Sequence, residues 1–267
     1  MAKNKVPNRY SRLLEAIFNQ YYKEGQTEFI FDRADITKVA EELSINLPKN
    51  IGDVLYSFRY RSALPDNIIA KAPIGYEWMI RPAGRAKYKF IASKQSNIVP
   101  SSMLVETKIL DATPGIIVRY SLNDEQALLA KLRYNRLIDI FTGLTCYSLQ
   151  NHLRTTIPDG SQIETDEIYV GVDKRGVHYV LPVQAKGGKD RIGIVQIEQD
   201  FDMCSIKFPH LICRAIAAKF IDEDLMALFE FEKSSDDLKV SAEKHYRLVK
   251  SEELSQKELE TYQNRLL

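Results

Sequence analysis

One stretch of the sequence, residues 162–188, places acidic, amide and basic side chains at spacings that could build a reactive site. Asp166 stands at the beginning of a short apolar segment with Glu164 two positions earlier, and Gln184 and Lys186 stand at the end of a second one. Strand side chains alternate between faces, so Gln184 and Lys186 are expected to share a face, as are Glu164 and Asp166. A hairpin would therefore bring a carboxylate, an amide and an ammonium group to one edge of a sheet.

These side chains meet the requirements of phosphodiester hydrolysis. That reaction needs a metal ion to neutralise charge and to generate hydroxide, and a group close to the attacking water. The Asp166 carboxylate is a hard ligand suited to Mg²⁺, which keeps several waters and needs few protein ligands. Lys186 could orient the water or stabilise the developing charge. Gln184 offers only a neutral oxygen and is the weaker metal ligand.

A helix-flanked mixed sheet is predicted to position these residues. The two hairpin strands are rich in β-branched and aromatic side chains, and Asp173–Gly176 supplies turn residues between them. The helix before them is expected to begin at Ser121, where Asp124 completes an arrangement close to a capping box, and to end at Gly143. The pattern predicts a helix, three strands, a helix and two strands, in that order, at residues 121–143, 147–157, 167–172, 177–183, 194–209, 212–221 and 225–232.

The segments on either side of this core have weaker patterns. Residues 105–112 and 115–120 alternate in polarity around a Thr-Pro-Gly turn and are expected to be strands. The polar tail, residues 251–267, is expected to be a short surface helix or a dimer contact.

The first third of the chain is predicted to be a separate unit with a different partner. Residues 1–95 carry 16 Lys+Arg against 10 Asp+Glu, a net charge of +6, whereas the whole chain has a net charge of +1. A basic unit attached to a slightly acidic body indicates an anionic partner for the first unit. The polar residues 96–102 are predicted to connect it to a second unit, residues 103–267.

The order of elements in the first unit is that of a winged helix, a variant of the helix-turn-helix. It begins with a helix at residues 9–22 and a short strand that contains Phe29 and Phe31. A second helix, at residues 36–43, has Asp35 as its N-cap, and a third follows at residues 49–61. The unit ends in a β-hairpin whose strands are predicted at residues 76–80 and 86–91.

Polar and basic side chains on the third helix and the hairpin suit contacts to phosphates and base edges of duplex DNA. They are Lys49, Asn50, Ser57, Arg59, Tyr60, Arg61, Arg81, Arg85, Lys87 and Lys89. Two alternatives stay open: these charges could be solvated surface groups, or the unit could be a protein-contact module.

Composition excludes several classes of protein. Hydrophobic residues make up 45% and charged residues 27%, as in an ordinary globular chain, and no apolar run approaches the roughly 18 residues of a membrane helix. The basic start of the chain lacks the apolar core of a signal peptide. Cys146, Cys204 and Cys213 have no CxxC spacing, which argues against a disulfide framework or a zinc site. A cytoplasmic protein without a membrane partner is expected.

The hairpin residues carry a resemblance to a known family. An acid that opens one strand and a Gln-Ala-Lys that closes the next, D-x17-Q-A-K, resembles the PD-(D/E)XK nuclease superfamily, and residues 121–232 follow the order of its shared core. The sequence VQAKGG is similar to the glutamine variant in Mrr-type restriction nucleases. Two departures are Thr165, where the family often has proline, and Gln184, where most members have an acid.

The resemblance implies a fold, an activity and roles for individual residues. The fold would be of the α/β (α+β) class, a restriction-endonuclease-like mixed sheet. Asp166 would take the place of the metal-binding acid, Gln184 the second position, and Lys186 the place of the catalytic lysine. With Gln184 in place of an acid, a further acid would complete the metal site. Glu164 and Glu125 are the two candidates, and Glu164 ranks first because it shares a strand face with Asp166.

Together these observations predict a site-specific, Mg²⁺-dependent endonuclease of double-stranded DNA, type II-like and belonging to a restriction or defence system. A homodimer would supply one active site for each strand. One alternative is a DNA-binding regulator whose rear unit is a degenerate nuclease fold used for dimerisation. Another is a subunit of a larger assembly whose first unit binds protein.

Overall fold

The computed structural model describes residues 9–60, 62–94, 97–121, 125–158, 160, 162–188, 190–234 and 238–264. It divides the chain into two compact units with a boundary after Ile98. Two short later segments, Thr156–Gln162 and Gly193–Val195, belong to the first unit. The second unit comprises Val99–Thr155, Ile163–Ile192 and the chain from Gln196 onwards. The boundary lies inside the segment 96–102 that the sequence predicts as a connection.

The first unit contains four helices and a small antiparallel sheet within its described residues. The helices are α1 (Arg9–Tyr21), α2 (Arg33–Glu42), α3 (Gly52–Tyr60) and α4 (Asp66–Ile69). The strands are β1 (Glu28–Asp32), β2 (Glu77–Pro82) and β3 (Lys87–Ser93), followed by the short β4 (Asn97–Ile98). The sheet has the order β1-β3-β2, with β3 antiparallel to both neighbours. The predicted helices and hairpin of this unit are confirmed, and α4 is an addition.

Aromatic packing holds the first unit together. Phe18 lies on the apolar stripe of α1 and is fully buried. Its ring centroid lies 5.1 Å from that of Phe29, 5.2 Å from that of Trp78 and 5.0 Å from that of Phe90, each in an edge-to-face arrangement. Such pairs each contribute about 0.5–1.5 kcal/mol beyond the burial of apolar area. The three-stranded sheet and α1 are thus fixed against each other.

Two helix starts in the first unit differ from their predictions. The N-cap of α2 is Asp32 and not Asp35, because β1 runs directly into the helix. Asp35 lies in the first turn, where its Oδ2 accepts hydrogen bonds from the Asp32 amide and the Tyr21 hydroxyl, both at 2.8 Å. Helix α3 begins at Gly52, three residues later than predicted, and the Asn50 Oδ1 accepts a hydrogen bond from the Gly52 amide at 3.2 Å. Asn50 therefore caps the helix and lies before it.

Beyond residue 98 the chain is a mixed α/β structure with a large sheet flanked by helices. Its strands are β5 (Glu106–Leu110), β6 (Thr145–Thr156), β7 (Gln162–Val172), β8 (His178–Lys186), β9 (Ile192–Gly193), β10 (Ile212–Cys213), β11 (Ala215–Phe220), β12 (Leu225–Lys233) and β13 (Leu238–Val249). Its helices are α5 (Gly115–Tyr120), α6 (Glu125–Tyr134), α7 (Leu137–Thr142), α8 (Ile194–Lys207), a 3₁₀ turn (Ser251–Glu253) and α9 (Gln256–Gln263).

The large sheet combines parallel and antiparallel pairs. Eight strands of the described chain belong to it, in the order β5-β13-β12-β11-β8-β7-β6, with β10 also paired to β8. Strand β8 is antiparallel to β7 and parallel to β11, so it lies in the interior of the sheet. All residues of β8 except His178 are buried, which agrees with an interior position.

The β7–β8 hairpin is confirmed, and its turn is held by Asp173. The Asp173 Oδ1 accepts hydrogen bonds from the Arg175 amide at 2.8 Å and the Val177 amide at 3.0 Å. Gly176 has φ +81°, a left-handed conformation that glycine adopts without strain. Burial raises the pKa of the Asp173 carboxyl, but the hydrogen bonds from Val177 and Arg175 outweigh it and hold that pKa at about 2. The turn therefore keeps its anionic cap at neutral pH.

Residues 115–120 form the helix α5, so the prediction of a strand there is wrong. Pro114 occupies the N-cap, and the Ile117 and Val118 amides donate to its carbonyl. Ile116, Val118 and Tyr120 are exposed, so alternating burial does not hold this segment extended. No strand among the described residues pairs with this segment, so the local preference after Pro114 decides the conformation.

The helix predicted over 121–143 is in fact two helices, α6 and α7, because the chain breaks at Asn135 and Arg136. Arg136 adopts a left-handed conformation with φ 49°. The buried Asn135 side chain accepts a hydrogen bond from the Ala112 amide at 2.7 Å and donates to the Thr113 hydroxyl at 2.9 Å. These hydrogen bonds to residues distant in the sequence stabilise the break between the two helices. Gly143 ends α7 as predicted, with φ 69°, while the predicted capping residue Asp124 lies outside the described residues.

Strand β13 is absent from the prediction, which ends the sheet at residue 232. It pairs with β12 on one side and with β5 on the other. Tyr246, Leu248 and Val249 are buried, but charged residues interrupt the strand and mask its alternation. The tail forms the helix α9, whose Tyr262 hydroxyl accepts a hydrogen bond from the Lys108 amide at 2.9 Å. Within the described ranges, no helix is long and apolar enough to span a membrane.

Candidate functional site

The hairpin brings Asp166 and Lys186 together beside an interior strand of the sheet. Glu167 on β7 lies opposite Val183 on β8, and the reactive residues follow just beyond this pair. The Asp166 Oδ2 accepts a hydrogen bond from the Ala185 amide at 2.8 Å. The Lys186 Nζ lies 3.6 Å from the same oxygen. Asp166 is 8% exposed and Lys186 is 7% exposed, so this ion pair is largely shielded from water.

Lys186 faces a second carboxylate, that of Glu125. Its Nζ lies 3.7 Å from the Glu125 Oε1, and Glu125 is the first residue of α6. Both carboxylates, those of Asp166 and Glu125, therefore lie within ion-pair distance of the Lys186 ammonium group. The helix α6 thus contributes an acid to the same site as the two strands.

Glu164 occupies a different position from the one that strand alternation suggests. Its Oε1 accepts a hydrogen bond from the Arg154 Nη2 at 2.9 Å and lies 3.8 Å from the His152 Nδ1. Both partners are on β6 and not on the hairpin. The main-chain carbonyl of Glu164, however, accepts a hydrogen bond from the Gln184 Nε2 at 3.1 Å. Of the two candidate accessory acids, Glu125 is therefore the one whose carboxylate lies beside Lys186.

Gln184 is held in one orientation and has an unsatisfied oxygen. The side chain is 1% exposed. Its Nε2 donates to the Asp200 Oδ2 at 2.9 Å as well as to the Glu164 carbonyl. Its Oε1 is buried and accepts no hydrogen bond from the described part of the chain. A buried acceptor without a donor is costly, by about 1–3 kcal/mol, so this oxygen calls for a partner.

Asp200 on α8 is the functional candidate that sequence reasoning missed. It is fully buried, and its Oδ1 accepts a hydrogen bond from the Thr165 hydroxyl at 2.5 Å. Burial raises the pKa of the Asp200 carboxyl to about 7, and the hydrogen bonds from Thr165 and Gln184 oppose that rise. One signal was present in the sequence: Asp200 follows the apolar Ile197 by three positions and precedes Met203 by three, so it lies on the buried side of its helix.

Lys219 is a second residue that the sequence did not single out. It lies opposite Lys186 in the parallel pairing of β11 with β8. Burial lowers the pKa of the Lys219 ammonium below its ordinary value, and the nearby charges of Lys186 and Arg191 act in the same direction. Its Nζ donates a hydrogen bond to the Asp190 carbonyl, which anchors the loop after β8. Two cations therefore lie side by side at this end of the sheet.

The oxygen atoms of the site fit a hard divalent cation that keeps most of its waters. Among the described residues, no three His, Cys, Asp or Glu side chains form a group that could hold a metal ion. The Gln184 Oε1 is an amide oxygen that accepts no hydrogen bond from the described residues, so it could serve as a ligand in addition to the Asp166 carboxylate. Mg²⁺ requires only one or two carboxylates from a protein. Asp166 and Gln184, with Glu125 close by, are thus the residues that could hold it.

The residues predicted to bind DNA differ in how accessible they are. Lys49, Arg85 and Lys87 are exposed, whereas Ser57, Arg59 and Arg81 are half-buried. Lys89 forms an ion pair with Glu28, with the Nζ 3.0 Å from the Oε2. Asn50 is exposed and is also engaged at the start of α3. Arg61 and the side chain of Tyr60 lie outside the described residues.

Among the described residues that were predicted to bind DNA, Lys49, Arg85 and Lys87 are thus the exposed basic side chains. Comparisons of the chain with protein-family models, with curated proteins and with solved structures found no match.

Proposed function

We propose that the chain is a Mg²⁺-dependent endonuclease of double-stranded DNA that resembles the PD-(D/E)XK superfamily. The observation that carries this proposal is the shielded contact of 3.6 Å between Lys186 and the Asp166 carboxylate. Two residues before Lys186 on the same strand, the buried Gln184 Oε1 has no hydrogen-bond donor among the described residues. An acid, a lysine and a further oxygen ligand, all at the same end of two neighbouring strands, are the groups that metal-assisted phosphodiester hydrolysis requires.

The arrangement of elements supports a restriction-endonuclease-like core. A helical segment, α6 and α7, precedes three consecutive strands, and α8 then leads to β11, which lies parallel to β8. This is the order that the resemblance implies for residues 121–232. Fold alone does not determine activity, so the proposal rests on the side chains at the hairpin.

Each residue of the site has a separate role in the proposed reaction. Asp166 and the Gln184 Oε1 would hold Mg²⁺, which when bound neutralises charge on the phosphodiester and makes water a better nucleophile. Lys186 would orient the attacking water and stabilise the negative charge that develops on the phosphate. Glu125 would hold the Lys186 ammonium group in place through their ion pair, and Lys219 would contact the phosphate from the neighbouring strand.

For the first unit we propose a winged-helix module that binds duplex DNA. The order α1-β1-α2-α3-α4-β2-β3, in which the short α4 is an addition, and the sheet order β1-β3-β2 support this assignment. In it, α3 would enter the major groove and the β2–β3 hairpin would be the wing. A homodimer would then cut both strands, as expected of a type II-like restriction enzyme.

Digestion of supercoiled plasmid by the full-length protein tests the proposed activity. With Mg²⁺ present we expect nicked and linear products, and with EDTA in excess of the metal we expect none, because hydrolysis requires the cation. Methylated and unmethylated plasmids should both be used, and the ends of the products sequenced. A protein that binds these DNAs tightly but leaves all of them intact in Mg²⁺ and in Mn²⁺ would contradict the proposal.

If the protein binds DNA tightly but does not cut it, the second candidate function, a DNA-binding regulator, would be favoured. The observation that supports it is the absence, within the described ranges, of a group of three acidic or other metal-ligating side chains at the hairpin. A regulator would use the rear unit for dimerisation and would have no need of Mg²⁺.

The proposed wing makes a separate prediction about DNA affinity. Replacing Arg85 or Lys87 by alanine should weaken binding equally for all duplex sequences, because phosphate contacts carry no base information. Each substitution should also lower the slope of log K against log salt by about 1. Fluorescence anisotropy at several salt concentrations measures both effects.

The control for the wing variants is Lys174→Ala, an exposed lysine in the β7–β8 turn. It should leave both affinity and slope unchanged. Equal losses in Lys174→Ala and in the two wing variants would indicate a general charge effect and remove the support for a wing.

A further inference from the structure

A buried hydrogen-bonded chain links Thr165, Asp200 and Gln184 behind the candidate metal site. The Thr165 hydroxyl donates to the Asp200 Oδ1 at 2.5 Å, and the Gln184 Nε2 donates to the Asp200 Oδ2 at 2.9 Å. Thr165 and Asp200 are fully buried and Gln184 is 1% exposed. Both oxygens of the Asp200 carboxylate are therefore occupied by donors from two different strands.

This network of hydrogen bonds determines the orientation of the Gln184 side-chain amide. A glutamine side chain has two N–H donors and one carbonyl acceptor. Here its nitrogen donates to two acceptors, the Asp200 Oδ2 and the Glu164 main-chain carbonyl, and the main-chain carbonyl cannot donate in return. The reversed orientation would place the Gln184 oxygen against these two acceptors. The amide is thus fixed with its Oε1 on the side without a donor, where the oxygen is buried and unsatisfied.

Asp200 also explains why a neutral side chain stands at position 184. A carboxylate there would lie about 3 Å from the buried Asp200 carboxylate, and two like charges at that distance cannot both ionise. Glutamine avoids this repulsion and gains the hydrogen bond from its Nε2 to the Asp200 Oδ2. The hairpin has no acid at position 184, but α8 provides one, Asp200, which is hydrogen-bonded to the Gln184 side chain.

We infer that Asp200 is a positioning residue that holds the Gln184 carbonyl oxygen in place as a ligand for the divalent cation. The inference rests on the proposed function, since it assigns the metal site of that same centre. Asp200 does not touch the cation; it acts through Gln184, as hydrogen-bond partners of metal ligands commonly do. Thr165, which bonds the other carboxylate oxygen, fixes Asp200 in turn.

A double-mutant cycle on Mg²⁺ affinity tests this inference without any measurement of cleavage. Isothermal titration of the full-length protein with MgCl₂, in the absence of DNA, should show about 10–100-fold weaker binding for Asp200→Leu. Asp200→Asn should bind within about twofold of wild type, because the new amide oxygen can still accept from the Gln184 nitrogen. In the Gln184→Leu background, Asp200→Leu should cause no further loss.

Two results would overturn the inference. One is an unchanged Mg²⁺ affinity in Asp200→Leu; the other is an equal additional loss when Asp200→Leu is combined with Gln184→Leu, which would indicate a purely structural role. If wild type itself binds no Mg²⁺, the proposed function fails as well. If wild type binds Mg²⁺ and cuts DNA while Asp200→Leu binds the ion equally well, only this inference fails.

A second measurement decides the matter if Asp200→Leu does not fold. In ¹⁵N-labelled wild-type protein, the Gln184 side-chain amide can be assigned as the resonance pair that Gln184→Leu lacks. Its protons should exchange slowly with water, since both are hydrogen-bonded in a buried site. Addition of MgCl₂ should shift this pair, and a pair that does not move would contradict a role for the Gln184 oxygen as ligand.

Discussion

Replacing Lys186 by methionine is expected to lower the rate of Mg²⁺-dependent plasmid cleavage by about 10²–10³-fold or more, the loss typical of one removed electrostatic donor. Methionine retains most of the length of the side chain but removes the charge that lies 3.6 Å from the Asp166 Oδ2. The lysine is 7% exposed, so water cannot readily replace its ammonium group. Single-turnover cleavage of plasmid at saturating protein measures the rate of the chemical step.

Duplex binding should be largely retained in Lys186→Met, because the side chains proposed to bind the duplex outside the cleavage site belong to the first unit. The matched control is Lys174→Met, at the opposite end of the same hairpin and exposed. It should cleave at the wild-type rate. Wild-type cleavage by Lys186→Met would place the catalytic centre elsewhere in the chain and remove the main support for the nuclease assignment.

A second large effect is expected at Glu167, next to the site on β7. Its side chain is fully buried, and its Oε1 accepts hydrogen bonds from the Arg133 Nε at 3.2 Å and Nη2 at 2.8 Å. The Ser148 hydroxyl donates to the same oxygen. Removing Arg133 leaves a fully buried carboxylate without its cation, which is a costly arrangement.

Arg133→Met should therefore lower the free energy of unfolding by about 2–3 kcal/mol, somewhat less than for a fully buried pair because part of the arginine is exposed. Urea denaturation followed by circular dichroism measures this difference. The double variant Arg133→Met with Glu167→Gln should regain part of the loss, since a neutral amide needs no cation.

Arg154→Met is the control for this prediction. Arg154 is paired with Glu164, but 77% of its side chain is exposed, and exposed pairs contribute less than about 1 kcal/mol. Equal losses in Arg133→Met and Arg154→Met would mean that burial of Glu167 does not determine the effect.

Local patterns in the sequence were sufficient to predict the hairpin and most of the helices. The alternation of apolar residues and the turn at Asp173–Gly176 specify β7 and β8, because both features act over a few neighbouring residues. Asp166, Gln184 and Lys186 could be selected for the same reason: their spacing relative to the two strands is a local property. The structure places Asp166 and Lys186 within 3.6 Å of each other.

Only the tertiary structure decided the parts that depend on distant segments. Asn135 breaks a helix because residues 112 and 113 offer it hydrogen-bond partners, and β13 is a strand because β12 and β5 pair with it. The residues around Asn135 do not reveal its partners at positions 112 and 113, and the residues of β13 do not reveal its pairing with β12 and β5. Tertiary contacts therefore overrode propensity at both places.

The same distinction applies to the candidate site. The sequence by itself determined which side chains the hairpin presents, but not which acids surround them. Arg154 on β6 draws the Glu164 carboxylate away, whereas α6 brings Glu125 to Lys186 and α8 brings Asp200 to Gln184. These three contacts join residues at least ten positions apart in the chain. Spacing along one strand fixes only the face of a side chain, while its partners are set by the packing of helices and strands against that face.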